Sequence, residues 1–200
     1  MTTTTERLTV VTPANRVPGP EQGHWTYDDY AALPDDGQRY EIVDGVLYMA
    51  PAPGIPHQRV AQRIFRRLAQ HLEDTQQGEA FIAPVDVELA PRVVVQPDVL
   101  VILNASREKI KPSRIIGAPD LVVEVSSPGT VGYDRREKQD AYARSGVTEY
   151  WIADPIAQTI EVFFLADNAY QSQGVFSGQA TLVSQVVPTI SEIPVEKFFI

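Results

Sequence analysis

Residues 117–128 have the sequence GAPDLVVEVSSP, a near-continuous apolar run bounded by glycine and proline. Such a run is typical of a strand that is buried on both faces, whereas a strand with one wet face alternates polar and apolar residues. We therefore predict a central strand over residues 121–125. Its one acid, Glu124, needs a compensating partner, because an unpaired buried carboxylate is strongly destabilising.

The chain after this strand predicts a helix and then a parallel strand. Asp134 is expected as the N-cap of a helix over residues 134–145, with Glu137 at the capping-box position. Gly146 follows as a C-terminal stop. A strand is expected over residues 149–153, and the helix between the two strands would make a right-handed parallel crossover.

Two β-branched runs precede the central strand. They cover residues 81–89 and 93–103, with a turn at Pro91 between them. We expect these two runs to pair antiparallel. After the parallel strand, a C-terminal β-meander is expected over residues 158–165 and 169–176.

The N-terminal part of the chain predicts a short helix and a hairpin. Thr26 and Asp29 have capping-box spacing in a short helix over residues 24–33. An Asp-Gly pair within residues 40–49 is a strong hairpin signal, because both positions of the turn need positive φ.

A long amphipathic helix is expected over residues 57–72. Apolar residues recur every four positions from Val60 to Leu72, and the opposite face carries arginines at positions 59, 63, 66 and 67. His57 stands at the start of this helix, and its role is open between a general base and a local hydrogen-bonding residue.

Composition indicates one domain. The chain has 200 residues, of which 44% are hydrophobic and 22% are charged, which is enough apolar material for a single core. Residues 1–23 are rich in Thr, Pro and Gly, so a flexible N-terminal arm is expected there. Residues 24–200 are expected to form one α/β domain, a mixed β-sheet flanked by helices with the C-terminal meander added.

Charge and cysteine content exclude several classes of protein. A net charge of -9 argues against binding nucleic acid through the whole surface. The absence of cysteine excludes disulfide scaffolds, thiolate nucleophiles and iron–sulfur clusters, so any metal must be held by oxygen or imidazole. No apolar stretch is long enough to cross a membrane and the N-terminus does not resemble a secretory signal, so we expect a cytoplasmic protein without a membrane partner.

Three acids lie in apolar segments. Glu41 is in the predicted hairpin, and Asp98 and Glu124 are in predicted strands. Each acid could face solvent from an edge strand or pair with an arginine. Together they could instead bind a hard divalent cation, because Mg²⁺ takes one or two carboxylates and leaves its other positions to water and substrate phosphate.

The basic residues are clustered. Most of the 17 Lys and Arg residues lie in three segments, 59–67, 107–114 and 135–144. Such clusters are either solvated faces or a local track for phosphate groups. Lys138 lies early in its predicted helix, where the helix dipole favours negative charge, so an anion or nearby carboxylates would account for it.

Several segments together resemble the Uma-two family of restriction-endonuclease-like proteins, within the PD-(D/E)XK nuclease superfamily. The matching text is YEIVDG at 40–45, APAPGIPHQ at 50–58, VVQPDVLVI at 94–102 and GAPDLVVEVSSP at 117–128. It continues through Asp134, Lys138 and Tyr142 to GVTEYWIADP at 146–155. The resemblance covers roughly residues 24–165.

The resemblance implies a restriction-endonuclease-like core of four mixed strands and a metal-dependent nuclease site. Carried onto this sequence, Glu41 is the acid of the hairpin, Asp98 the acid of the PD motif and Glu124 the acid of the third motif. In the superfamily pattern a lysine follows the third acid by two positions, but that position is Ser126 here. The resemblance implies that Lys138, from the next helix, takes its place.

The function implied is hydrolysis of DNA phosphodiester bonds with Mg²⁺ or Mn²⁺. The Asp98 and Glu124 carboxylates and the Val125 carbonyl would hold the ion, Glu41 would hold a ligand water or a second ion, and Lys138 would stabilise the phosphate. The alternative is an inactive protein that keeps the fold to bind nucleic acid or another protein. DNA contacts would be made to the backbone, and a homodimer is expected because two-fold symmetry suits cleavage of both strands.

Overall fold

The structure, a computed structural model, describes residues 10–200. Its first elements are β1 (Thr12–Pro13), α1 (Tyr27–Ala31), β2 (Arg39–Val43), β3 (Val46–Ala50), α2 (Ile55–Thr75), β4 (Gly78–Ile82), β5 (Val87–Ala90), β6 (Val93–Val95) and β7 (Val99–Leu103). They are followed by β8 (Ile115–Ile116), β9 (Leu121–Val125), α3 (Val131–Tyr133), α4 (Gln139–Ser145), β10 (Glu149–Asp154), β11 (Thr159–Ala166) and β12 (Ala169–Ser177). A π-helical turn (Asp134–Lys138) joins α3 to α4, and 3₁₀ turns cover Asn104–Lys109, Pro188–Glu192 and Val195–Phe198.

The central sheet has the strand order β12-β11-β10-β9-β7-β4. All five residues of β9 are buried and the strand lies between β10 and β7, which confirms the predicted central strand. β10 pairs parallel with β9 after the chain has passed through α3 and α4, which confirms the predicted parallel crossover. β11 and β12 add the expected antiparallel meander at one edge.

The two β-branched runs are each divided between this sheet and a second one, with the strand order β1-β3-β2-β6-β5-β8. One antiparallel pair was expected, but there are two, β4 with β7 in the central sheet and β5 with β6 in the second sheet. Pro97 has no N–H to donate to a ladder, so the run breaks there and the chain crosses from one sheet to the other. This crossing places Asp98 at the junction of the two sheets.

One face of α2 packs on the central sheet. Its buried apolar residues include Val60, Ile64, Leu68 and Leu72, at the spacing that predicted the helix. α2 is longer than the predicted span of 57–72 and begins at Ile55, because Pro56 is tolerated in a first turn. Among the helices of residues 10–200, none is long and apolar enough to cross a membrane.

The N-terminal signals have the predicted local structures. Thr26 and Asp29 form a capping box at the start of α1. Asp44 and Gly45, with φ of 52° and 75°, make the turn between β2 and β3. Only glycine fits at position 45, because a Cβ there would lie 2.3 Å from the carbonyl oxygen of Gly23.

Residues 10–23 differ from the flexible arm expected over residues 1–23. β1 pairs with β3, so that Thr12 lies opposite Met49, and Ala14 is buried. The segment packs because its apolar residues cover the hairpin. The rest of the expected arm, residues 1–9, lies outside the described residues.

The helix predicted over residues 134–145 begins earlier, at Val131. Asp134 is inside the helical segment, where its N–H donates to the carbonyl oxygen of Thr130 at 2.9 Å, so it is not the N-cap. The buried ring of Tyr133, which packs against Tyr48, favours this earlier start. Gly146, with φ of 87°, ends α4 as predicted.

Glu149 attaches the C-terminal segment to the central sheet. This residue is fully buried at the start of β10, and one carboxylate oxygen accepts a hydrogen bond from the indole N–H of Trp151 at 2.6 Å. The other oxygen accepts the backbone N–H groups of Gln185 and Val186 at 2.8 and 3.0 Å. One side chain therefore satisfies three donors, of which those of Trp151 and Val186 are buried.

Glu149→Ala is expected to lower the free energy of unfolding by about 3 kcal/mol or more, because three donors lose their acceptor and each costs about 1 kcal/mol or more to leave unpaired. Urea unfolding followed by circular dichroism measures this loss. The exposed Glu73→Ala on α2 is the control and should change stability little. Equal stability of Glu149→Ala and wild type would contradict this stabilising role of the Glu149 carboxylate.

Candidate active site

The predicted site residues meet at a small cavity of about 60 Å³ between the two sheets. β2 contributes Glu41, the crossing between the sheets contributes Asp98, β9 contributes Glu124, and the π-helical turn contributes Lys138. The Val125 backbone also lines the cavity. The structure thus brings together all five residues named as site residues from the sequence.

Side-chain direction follows from the local periodicity. On β9, Val123 and Val125 face the core under α2, so Glu124 points to the opposite face of the sheet, toward α4. In the helical segment, Lys138 and Tyr142 are four residues apart and therefore lie on one face. The Lys138 ammonium and the Tyr142 hydroxyl both contact the carboxylate of Glu124.

Lys138 forms the shortest ion pairs of the site. Its ammonium lies 2.6 Å from a carboxylate oxygen of Glu124 and 3.0 Å from one of Glu41. Burial would lower the pKa of Lys138, but the charges of Glu124 and Glu41 raise it, so the group stays protonated. The hydroxyl of Tyr142 donates to the same oxygen of Glu124 at 2.6 Å. Lys138 therefore links one acid of each sheet.

Asp98 is held by a separate set of donors. One carboxylate oxygen accepts the backbone N–H of Val125 at 2.8 Å and lies 3.0 Å from Nε2 of His57. Burial alone would raise the pKa of Asp98, but His57 and the charge of Arg39 hold it below its usual value. Nδ1 of His57 is buried without a hydrogen-bond partner among the described residues.

Arg39 is the second cation of the cavity. Its guanidinium lies 3.6 Å from Glu41 and 3.8 Å from Asp98, and its side chain is 22% exposed, compared with 3% for Lys138. Two groups of Gln96 hold it, the side-chain oxygen at 3.1 Å and the backbone carbonyl. The backbone N–H of Gln96 in turn donates to Glu41 at 2.8 Å.

The cavity holds more acids than bases. Four carboxyl groups line it, those of Glu41, Asp98, Glu124 and Asp134, together with the cations of Arg39 and Lys138. Burial raises the pKa of Glu124 to about 7, in spite of Lys138 and with the help of the charge of Asp98. Burial and the charge of Glu124 raise the pKa of Asp134 well above its usual value. The cavity therefore resists further negative charge unless a cation balances it.

Three residues of the site have roles that sequence reasoning missed. Nothing in the sequence singles out Arg39, Asp134 is predicted as an N-cap, and Tyr142 is named only within the family motifs. The spacing of Asp134, Lys138 and Tyr142 was the available signal, since residues four apart share a helix face. Two residues after Glu124 the chain has Ser126 instead of a lysine. The Ser126 hydroxyl donates to the carbonyl oxygen of Ala153 at 3.3 Å.

The donor set suits a hard divalent cation. Within residues 10–200, no group of three or more His, Asp or Glu side chains has metal-holding geometry. Two carboxylates are nevertheless enough for Mg²⁺, which keeps several waters and takes other ligands from substrate phosphate. Asp98 and Glu124, beside the Val125 backbone in a pocket with excess acid, meet that requirement.

A family model matches residues 27–196, and its description is "Uma2: Putative restriction endonuclease". The chain belongs to the Uma2 family. This membership confirms the resemblance of the motifs around Glu41, Asp98 and Glu124. No curated protein sequence matches the chain.

A solved structure is similar to this fold. It is the crystal structure of "a putative nuclease belonging to DUF820" from Anabaena variabilis, with a TM-score of 0.71 and 20% sequence identity. The alignment covers 88% of this chain and 97% of that one. The likeness confirms the predicted α/β fold of the Uma2 chain, with its mixed sheets flanked by helices.

The raised pKa of Glu124 predicts how the stability of the metal-free protein depends on pH. Between the usual value of 4.5 and about 7, the folded state binds a proton at Glu124 that the unfolded state has lost. Stability should therefore fall as pH rises through this range. Urea unfolding in EDTA from pH 4.5 to 8 measures the slope.

Glu124→Gln cannot ionise, so its stability should fall less steeply with pH than that of wild type over the same range. Glu192→Gln, which removes an exposed acid from the 3₁₀ turn Pro188–Glu192, is the matched control and should keep the wild-type slope. Identical slopes for Glu124→Gln and wild type would contradict the raised pKa.

Proposed function

We propose that the protein is an endonuclease that hydrolyses DNA phosphodiester bonds with Mg²⁺ or Mn²⁺. The observation that carries the proposal is the convergence of Asp98, Glu124 and Lys138 at one cavity. Membership of the Uma2 family supports it, because the family model is described as "Putative restriction endonuclease". Carboxylates can hold the divalent ion for phosphodiester hydrolysis, and a protonated lysine can stabilise the charge that develops on the phosphate.

Asp98, Glu124 and the Val125 carbonyl would hold the ion, and Glu41 would hold one of its waters. A bound divalent ion lowers the pKa of a ligand water and balances charge on the scissile phosphate. The excess of acids over bases in the cavity supports this assignment, because a divalent ion would favour the ionised form of Glu124, whose pKa is raised by burial and by the charges of Asp98 and Glu41.

The cations of the site would act on the phosphate. Lys138 stays protonated between Glu41 and Glu124, so it can stabilise negative charge that develops nearby or orient the attacking water. Arg39 is more exposed and can contact a phosphate oxygen that enters the cavity. His57 donates to Asp98 and keeps that carboxylate in one orientation.

Asp98→Asn and Glu124→Gln should each lower the rate of plasmid nicking in Mg²⁺ or Mn²⁺ by about 100-fold or more, because each removes a charge that the reaction needs. Gel electrophoresis of supercoiled plasmid measures nicking. Glu192→Gln, at an exposed position that does not line the cavity, is the control and should cleave like wild type. Cleavage by Asp98→Asn at the wild-type rate would assign the activity to another site or to a contaminant.

Calorimetry tests the metal site without any choice of substrate. Wild type should bind Mn²⁺, and the double variant Asp98→Asn/Glu124→Gln should lose that binding, because a neutral amide is a poor ligand for a hard cation. The titration is repeated with a short oligonucleotide, since phosphate can supply ligands. The same heat in wild type and double variant would place the ion elsewhere.

A second candidate is a non-catalytic binding protein of the same fold. The ion pairs of Lys138 with Glu41 and Glu124 favour it, because a buried lysine held by two carboxylates also occurs in purely structural ion-pair networks. Wild type without divalent-dependent cleavage and without Mn²⁺ binding would select this candidate.

A further inference from the structure

The outer face of α2 is rich in arginine and lacks acids. Between Ile55 and Leu72 the helix contains arginines at positions 59, 63, 66 and 67 and no Asp or Glu. This composition contrasts with a chain whose net charge is -9. We use the name arginine face for the surface formed by Arg59, Arg63 and Arg66.

Four arginines of the other basic clusters each pair with a neighbouring acid. Their ion pairs are Arg107 with Glu79 at 2.9 Å, Arg114 with Glu88 at 2.7 Å, Arg135 with Glu161 at 2.7 Å and Arg144 with Asp44 at 2.8 Å. In contrast, no carboxylate of residues 10–200 lies within 4.0 Å of a guanidinium of the arginine face. Its charge is therefore open to an external anion.

The arginine face is a shaped surface. Arg59, Arg63 and Arg66 line a depression of about 520 Å³, together with Gln62, Phe65 and Ile200. Arg63 donates to the backbone carbonyl of Phe199, so a neutral group fixes its guanidinium and leaves its charge uncompensated. A fixed cation loses less conformational entropy when it binds an anion.

The spacing of the arginines suits a nucleic-acid backbone. Arg59 and Arg66 are seven residues apart, which is about 10 Å along a helix. Phosphates of one DNA strand advance by about 3.4 Å each along the duplex, so the face covers about three of them. α2 also carries His57, in contact with Asp98, at the end of the helix that borders the cavity.

We infer that the arginine face binds the phosphate backbone of duplex DNA and thereby holds the substrate beside the cavity. The inference rests on the proposed function for the identity of the polyanion. The remaining acidic surface repels DNA, so the arginine face also determines the orientation in which a duplex can approach. Guanidinium contacts to phosphate carry no sequence information, so binding is expected to be independent of sequence.

The test measures binding without cleavage. A fluorescein-labelled duplex of thirty base pairs is titrated with the full chain in EDTA, and anisotropy is recorded between 50 and 200 mM KCl. Each phosphate contact contributes about 0.9 to the slope of log affinity against log salt. Arg59→Gln/Arg63→Gln/Arg66→Gln should therefore reduce the slope by about 2.7 and the affinity at 50 mM KCl by at least about tenfold.

Two further variants make the result specific. Arg59→Gln/Arg66→Gln leaves the bond from Arg63 to Phe199 intact and should reduce the slope by about 1.8, which excludes misfolding as the cause. The control Arg16→Gln/Arg92→Gln/Lys111→Gln makes the same change of net charge at exposed positions on other elements. It should change the slope by less than about 0.5.

Several outcomes would overturn the inference. One is the absence of DNA binding by wild type, and another is an equal loss of affinity in the control and in the α2 variants. A third is displacement of the duplex by polyglutamate as readily as by unlabelled DNA, which would assign the arginine face to an acidic protein. These outcomes are distinguishable from a failure of the proposed function. If the protein binds DNA through the arginine face but never cleaves it, the binding surface is supported and the nuclease function is not. If cleavage depends on Asp98 but the α2 variants bind DNA like wild type, the nuclease function is supported and the binding surface is not.

Discussion

The ammonium group of Lys138 links the two sheets across the cavity. It pairs with Glu41 from the second sheet and with Glu124 from the central sheet. Removing one partner of a buried ion pair typically costs about 3–5 kcal/mol, because it leaves an uncompensated charge. The site is therefore part of what positions the sheets, and any variant of Lys138 affects folding as well as chemistry.

Much of the fold follows from short-range patterns. The buried run around Glu124, the i+4 spacing of α2, the Asp-Gly turn and Gly146 each indicate one local structure, and each is present. The division of strands between two sheets is different, because it depends on where Pro97 interrupts a ladder whose partner strands are distant in sequence. The division depends on which strands pair in the folded protein, and the local periodicity of the sequence does not show that pairing.

The candidate site was predictable only in part for a similar reason. Acids in apolar strands are conspicuous, so Asp98 and Glu124 stand out, and the family motifs identify Lys138. Arg39 lies at the start of its strand, where a charged residue is ordinary, and its partners Gln96 and Asp98 are more than fifty positions away in the sequence. Asp134 was assigned to a cap because its capping-box spacing is correct, but burial of Tyr133 extends the helix past it.

The π-helical turn at Asp134–Lys138 sets the directions in which the side chains of Asp134 and Lys138 project. A π turn contains about one residue more per turn than an α-helix, and such turns are frequent at functional sites. Loss of one residue there would return the turn to α-helical geometry, which changes the directions in which Asp134 and Lys138 project while α3 and α4 keep nearly their present phase. Helix register, as well as residue identity, thus sets how many carboxylates the cavity contains.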